Sequence, residues 1–369
     1  MVKKLLYLNG LAVLAVVLNH SLSWSYISLF WWTDRYLPVS VPNFDQLGSP
    51  IYYLFRFLEQ LIIFAIPAFL FVSGFFLAFA AGRGQSPLRW NIIFVRLKNL
   101  LIPFFIWSVI ILLMDIALGR EVSPAEFLLV IVTGRAADPF YFIPVLAQLY
   151  LISPFIVRFA RNNWKMLLLV TGAVHAFFVL LRYPPLLNLD IPFLEPIIAN
   201  NRHFLFPSYI FFLTLGMVFG FHSSEFKEWL YSRRWLLLGL TGAFFLLGVI
   251  EWEMILKASG QEWLGPSETL IDQIYAGFFL LTFFAFERTE LPLPRTFNFI
   301  GAKSYGVYLT HTIVLIITAK AVYHLIPQLL GLPLLFLLML TAAGVALPLL
   351  LMEIVNRSPL RRYYALIFG

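Results

Sequence analysis

Apolar positions along this chain gather into long uninterrupted runs separated by short polar connections, not into the brief alternating segments of a barrel strand. Runs long enough to cross hydrocarbon, roughly 17–25 residues each, lie near 5–24, 55–80, 100–118, 139–158, 166–182, 204–221, 235–252, 269–286, 304–323 and 333–354. In lipid only helices and closed barrels satisfy every backbone polar group. The pattern therefore predicts an all-α polytopic membrane bundle of about ten transmembrane helices, read as a single integral-membrane domain over 1–369. The apolar segment 124–134 is too short to cross and is expected at the interface. No connection is long enough to hold an inserted soluble domain, and the two halves show no self-similarity.

The first run begins after Lys3 and Lys4, as a signal peptide does. Asn9, Asn19 and His20 interrupt it, however, and no small-x-small cleavage site follows, so it reads as a retained helix.

Composition strengthens the membrane reading. The chain is 61% hydrophobic and only 12% charged, with a mean hydropathy of +0.85, whereas a soluble domain carries about 25% charged residues. A core built from 369 residues could not hide that much apolar surface from water. The absence of cysteine excludes disulfides, thiolate nucleophiles and cysteine-based metal sites.

The net charge of +7 does not point to nucleic acid, because the basic residues sit in short clusters between apolar runs. Lys3, Lys4, Arg83, Arg89, Arg96, Lys98, Arg158, Arg161 and Lys165 belong to one set of alternate connections. With both termini cytoplasmic, that set collects 18 of the 26 basic residues, while 14 of the 19 acidic ones fall outside. Such asymmetry orients the protein and favours an even number of spans.

Polar groups inside apolar runs are costly, and each has a functional and a plain reading. His20 lies ~24 Å along the first helix from Lys4, at 1.5 Å per residue, in the outer half of the membrane. It is a candidate general base, or else a hydrogen-bonded interface histidine. Asn9, eleven residues earlier, shares its face. Arg56 and Glu59, at i and i+3, read plainly as an interfacial ion pair and functionally as acceptor contacts or as groups orienting His20. Ser73, beside Gly74, marks close helix packing or lines a tunnel. Arg89, Arg96, Lys98 and Asn99 follow the positive-inside rule, and such donors could also hold a phosphorylated ligand. Ser304, Tyr308 and His311, at i, i+4 and i+7, line one helix face, with His311 ~12 Å into the membrane from Lys303. A tunnel lining or a satisfied helix contact would account for them. In the outer connection 25–50, Trp31 and Trp32 suit either a sugar ring or the interfacial aromatic belt. No nucleophile elbow, H-E-x-x-H, phosphate-binding loop or dinucleotide fingerprint occurs, and the six histidines lack ligand spacing. No metal is expected.

Five stretches, in order, resemble the acyltransferase type 3 family of bacterial integral-membrane enzymes. They are Y-L-N-G-L-A-V-L-A-V-V-L-N-H ending at His20, P-A-F-L-F-V-S-G-F-F-L at 67–77, R-L-K-N-L-L-I-P-F-F-I-W-S at 96–108, Y-F-I-P-V-L-A-Q-L-Y-L-I-S-P at 141–154 and F-I-G-A-K-S-Y-G-V-Y-L-T-H at 299–311. Two positions depart from the family pattern. Asn9 stands where an arginine often precedes the histidine by eleven residues, and Arg96-x-x-Asn99 replaces R-x-x-R. A branch with a different donor or acceptor would account for both.

The resemblance implies a multi-pass protein of the inner (plasma) membrane that moves an acyl group, acetyl in the simplest case, from cytoplasmic acyl-CoA to a hydroxyl. The acceptor would be an extracytoplasmic carbohydrate or similar molecule. His20 would be the base. Arg89, Arg96, Lys98 and Asn99 would hold the donor's phosphates, with Ser73, Ser304, Tyr308 and His311 along its pantetheine arm. Asn9, Arg56, Glu59, Trp31 and Trp32 would face the acceptor. A transporter or flippase for an acylated or lipid-linked glycan is the alternative. It would favour helix breaks in matched halves, whereas Pro67, Pro103 and Pro144 are not symmetrically placed.

Overall fold

The computed structural model describes residues 2–82, 88–117, 119–197, 206–265 and 268–369, so Arg83 and the start of the predicted run 204–221 lie outside the described residues. Among the described residues every regular element is a helix. In chain order the main ones are α1 (Val2–Phe30), α2 (Pro50–Ile62), α3 (Ala65–Ala81), α4 (Trp90–Ala117), α5 (Pro124–Thr133), α6 (Phe142–Asn162) and α7 (Trp164–Leu180). They continue as α8 (Ile210–Ser232), α9 (Arg234–Ser259), α10 (Leu270–Ala285), α11 (Pro294–Ala302), α12 (Ser304–Leu325) and α13 (Pro333–Arg357).

Nine helical stretches among the described residues are long and apolar enough to cross a membrane. The run predicted at 269–286 forms α10, whose 16 residues reach only ~24 Å at 1.5 Å per residue. The hydrocarbon core is ~30 Å thick. The run at 55–80 is not one helix but two, α2 and α3, broken at Ile63 and Phe64. Pro67 explains the break, because it has no N–H to give the Ile63 carbonyl four residues back. Pro144 falls in the first turn of α6, where that donor is not needed, while Pro103 lies inside α4.

The chain divides into two compact units, one of Met1–Ala65 with Leu293–Gly369 and one of Ile66–Pro292. In the first, α1 is the central element and packs against α2, α11, α12 and α13. Gly10 of α1 and Gly301 of α11 let two backbones touch: a Cβ at Gly10 would collide with the Phe297 carbonyl, and one at Gly301 with that of Leu6. Farther along, Ser28 donates to the Leu330 carbonyl at 3.1 Å, beside an apolar cluster of Leu315, Ala319, Leu330, Phe336 and Leu340.

The second unit uses the same device. Gly74 of α3 lies on the Leu213 carbonyl of α8, and Gly216 of α8 lies on that of Phe71. Outward faces are apolar, as with Trp235, Ile250 and Met254 on α9 and Phe155 on α6, which suits contact with lipid.

Replacing Gly301 or Gly216 by alanine should cost about 1–3 kcal/mol, as overpacking does. Thermal unfolding of the detergent-solubilised protein would read this as a lowered midpoint. Gly239, which has open space at its Cβ position, is the matched control, and Gly239→Ala should leave the midpoint unchanged or slightly raised.

Candidate functional site

His20 of α1 and His311 of α12 meet in the first unit, with ring centroids 5.4 Å apart and planes tilted by 44°. The two separate depth estimates, ~24 Å and ~12 Å from their own lysines at 1.5 Å per residue, do not anticipate this pairing. Contact between the rings shows that Lys4 and Lys303 are not a common origin for measuring depth.

His311 is wholly buried, and Tyr308 and Ser304, one and two turns earlier, are buried with it. The predicted stripe therefore faces the protein interior. The His311 Nδ1 lies 2.7 Å from the Tyr308 carbonyl oxygen and 3.3 Å from that of Val307. A carbonyl only accepts, so the ring proton sits on Nδ1 and the lone pair on Nε2. That Nε2 is buried with no hydrogen-bond partner among the described residues, as is the hydroxyl of Thr312, the next residue in the chain. His20 is only partly buried, so one ring of the pair is reachable and the other is enclosed. Asn9, also on α1, has a buried amide oxygen without a partner among the described residues.

Arg56 and Glu59 do pair, and the pair lies inside the protein. Both are buried, at 6% and 5% exposure, and their ion pair is joined by the Tyr26 hydroxyl, which donates to the same Glu59 oxygen at 3.2 Å. The cause is the packing of α2 on α1: Tyr26 meets Phe55 edge to face at 5.5 Å, enclosing the charges. Nothing in the run around Tyr26 signals this partnership, so sequence reasoning missed it.

The two neighbouring tryptophans part company. Trp32 joins an aromatic cluster with Trp24 at 5.4 Å and Tyr323 at 4.8 Å, capped by Arg35, whose guanidinium lies over the Tyr323 ring. Trp31 is exposed and edges onto Phe44 of the connection between α1 and α2 at 5.7 Å.

The remaining candidates belong to the second unit. Half-buried Ser73 stands next to Gly74, where α3 and α8 touch, in keeping with close packing. Arg96 donates to the Phe76 carbonyl at 3.1 Å and lies over the Tyr150 ring. Arg89, just before α4, and Asn99 are exposed, and Asn99 shares the Arg96 face at i+3. Lys98 does not. It lies on the exposed stripe of Phe94, Leu101 and Phe105, at spacings of four, three and seven residues, where a long side chain follows apolar surface to reach water.

A second buried polar network was not anticipated. Arg182 pairs with Glu268 at 2.8 Å, Gln273 donates to the same carboxylate at 3.2 Å, and His175 Nε2 meets the Gln273 amide oxygen at 3.2 Å. The spacing of His175 and Arg182, i and i+7 within the predicted run 166–182, was a signal, although Arg182 lies just past the end of α7 at Leu180. Among the described residues no cluster of metal-ligating side chains occurs.

Long apolar helices, with two imidazoles in contact in the first unit, define a polytopic helical membrane protein. The family model described as "Acyltransferase domain" matches residues 3–353, and the chain belongs to that family, acyltransferase type 3. No match was found among curated proteins or among solved structures.

Removing one partner of a buried ion pair leaves an uncompensated charge and costs about 3–5 kcal/mol. Arg56→Ala should therefore lower thermal stability sharply, whereas the double change Arg56→Met with Glu59→Leu should recover most of the loss. Equal instability of the single and double variants would mean that the pair's charge is not what matters.

Proposed function

We propose that the protein transfers an acyl group, acetyl in the simplest case, from cytoplasmic acyl-CoA to a hydroxyl of an extracytoplasmic sugar, polysaccharide or similar acceptor. It would do so in the inner membrane, with both termini cytoplasmic. The orientation is supported by the distribution of charge, with 18 of 26 basic residues on one side of the predicted spans. The chemistry is supported by family membership, and the observation that carries it is the contact between His20 and His311.

In this reading His20 is the base. It takes the proton of the acceptor hydroxyl as the oxygen attacks the thioester carbonyl. The new carbon–oxygen bond forms, the carbon–sulfur bond breaks, and the proton held by His20 is returned to the departing CoA thiolate. General-base assistance of this kind is worth about 10²–10⁴ in rate. The buried stripe of Ser304 and Tyr308 suits an amide-bearing pantetheine arm, and Asn9 offers an amide oxygen on the same helix as His20. Arg56, Glu59 and Tyr26 hold α2 against α1, so acceptor contacts fall more naturally to exposed Trp31 and partly buried Trp32. Arg89, Arg96 and Asn99 carry the charge and donors that a nucleotide's phosphates require.

Purified protein in lipid nanodiscs should release free CoA from acetyl-CoA, and His20→Ala should reduce that turnover about 10²–10⁴-fold with donor binding retained. Binding without turnover in the wild type would reject bond making and favour a transporter.

Arg96→Gln should weaken acetyl-CoA binding about ten- to a hundredfold, as loss of a charged hydrogen bond does. Asn99→Arg should strengthen it. Titration calorimetry on the same nanodiscs would check both, and unchanged affinity in each variant would place the phosphates elsewhere.

A further inference from the structure

The orphaned nitrogen of His311 carries a further inference. Its Nδ1 proton is committed to the Tyr308 carbonyl on its own helix at 2.7 Å, which leaves Nε2 as a bare acceptor in a site closed to water. A buried acceptor without a donor is unfavourable, and native interiors seldom leave one so. The ring beside it is that of His20. The ring centroids are 5.4 Å apart, and no hydrogen bond joins the two rings as they stand. Hydrogen bonds of catalytic groups are commonly long in the unliganded state and tighten when substrate arrives.

We propose that His311 is a positioning residue that fixes the tautomer of His20. This rests on the reading of His20 as the base. The order of donation runs from the His20 N–H facing His311, to the bare Nε2 of His311, with the His311 Nδ1–H fixed on the Tyr308 carbonyl. Its consequence is that the opposite nitrogen of His20 is always unprotonated and can accept the acceptor's proton. When it does so, His20 becomes an imidazolium whose other N–H can close onto the bare Nε2, so the charge formed during the reaction meets a waiting acceptor. The arrangement does for a histidine what a carboxylate does in a hydrolase triad, with a neutral acceptor that adds no charge to a dry site. It also reassigns His311, which contacts the base and not the donor's pantetheine arm.

Two readouts separate this role from a structural one or from donor contact. In wild-type protein labelled with ¹⁵N-histidine, in lipid nanodiscs, His311 should be protonated at Nδ1 and His20 should show one tautomer. The signals are assigned by their loss in His311→Gln and His20→Ala. A proton on Nε2 of His311 overturns the proposal outright, whatever any variant does. In His311→Phe the His20 signal should become a mixture of tautomers. The kcat for acetyl-CoA turnover should fall about ten- to a hundredfold with KM unchanged. His311→Gln, whose amide oxygen accepts, should restore most of the loss. An unaltered kcat, a raised KM alone, or an unchanged His20 tautomer in folded His311→Phe would each refute the assignment. A single His20 tautomer in a wild type that turns over no acyl-CoA would support the pairing and reject acyl transfer itself.

Discussion

The approach of α1 to α11 through Gly10 and Gly301 sets the geometry of the first unit. Backbone contact at that crossing leaves α1 little freedom to slide or rotate, because each glycine rests on a carbonyl of the opposite helix. In hydrocarbon there is no hydrophobic drive between helices, so close packing of small residues supplies much of what holds them. With its start fixed in this way, α1 presents His20 toward α12 and Tyr26 toward α2, and both of its polar partnerships follow from one placement.

Those partnerships obey a common rule. An ionisable group away from water must find a partner or leave the interior. Glu59 has Arg56 and Tyr26, and Glu268 has Arg182 and Gln273. In each case one carboxylate gathers donors from two segments of chain, and the network ties helices together at a place where apolar contact alone gives no unique register. The Nε2 of His311 has no such partner among the described residues. Each network also leaves a donor over among those residues, Arg56 Nε in one and Arg182 Nε in the other.

The helices and the inward stripe of Ser304, Tyr308 and His311 are legible in the sequence because both depend on short periods, 3.6 residues and the i, i+4, i+7 rule. Family membership is legible because its motifs are local strings in order. The division of the second predicted span at Pro67 was also readable, since a proline without an N–H names the carbonyl it abandons. The meeting of His20 with His311 was not, because no periodicity couples residues on helices so far apart along the chain. Burial of Arg56 and Glu59 was hidden for the same reason: an i, i+3 pair looks alike at a lipid interface and under another helix. The face on which Lys98 lies was legible too. Its charge invited a role beside Arg96, although two residues of helix turn it to the far side.

The first unit is assembled from the two ends of the described sequence, and this has a consequence in time. Ser28 and the carbonyl it bonds are separated by 302 residues, with the whole second unit between them. At a synthesis rate of about 5–20 residues per second, α1 would wait roughly 15–60 s in the bilayer before α12 and α13 emerge. Throughout that interval Asn19 and His20 sit in an apolar helix whose final neighbours do not yet exist. A transient companion, whether lipid headgroup, water or the insertion machinery, must shelter those polar groups until the late helices arrive.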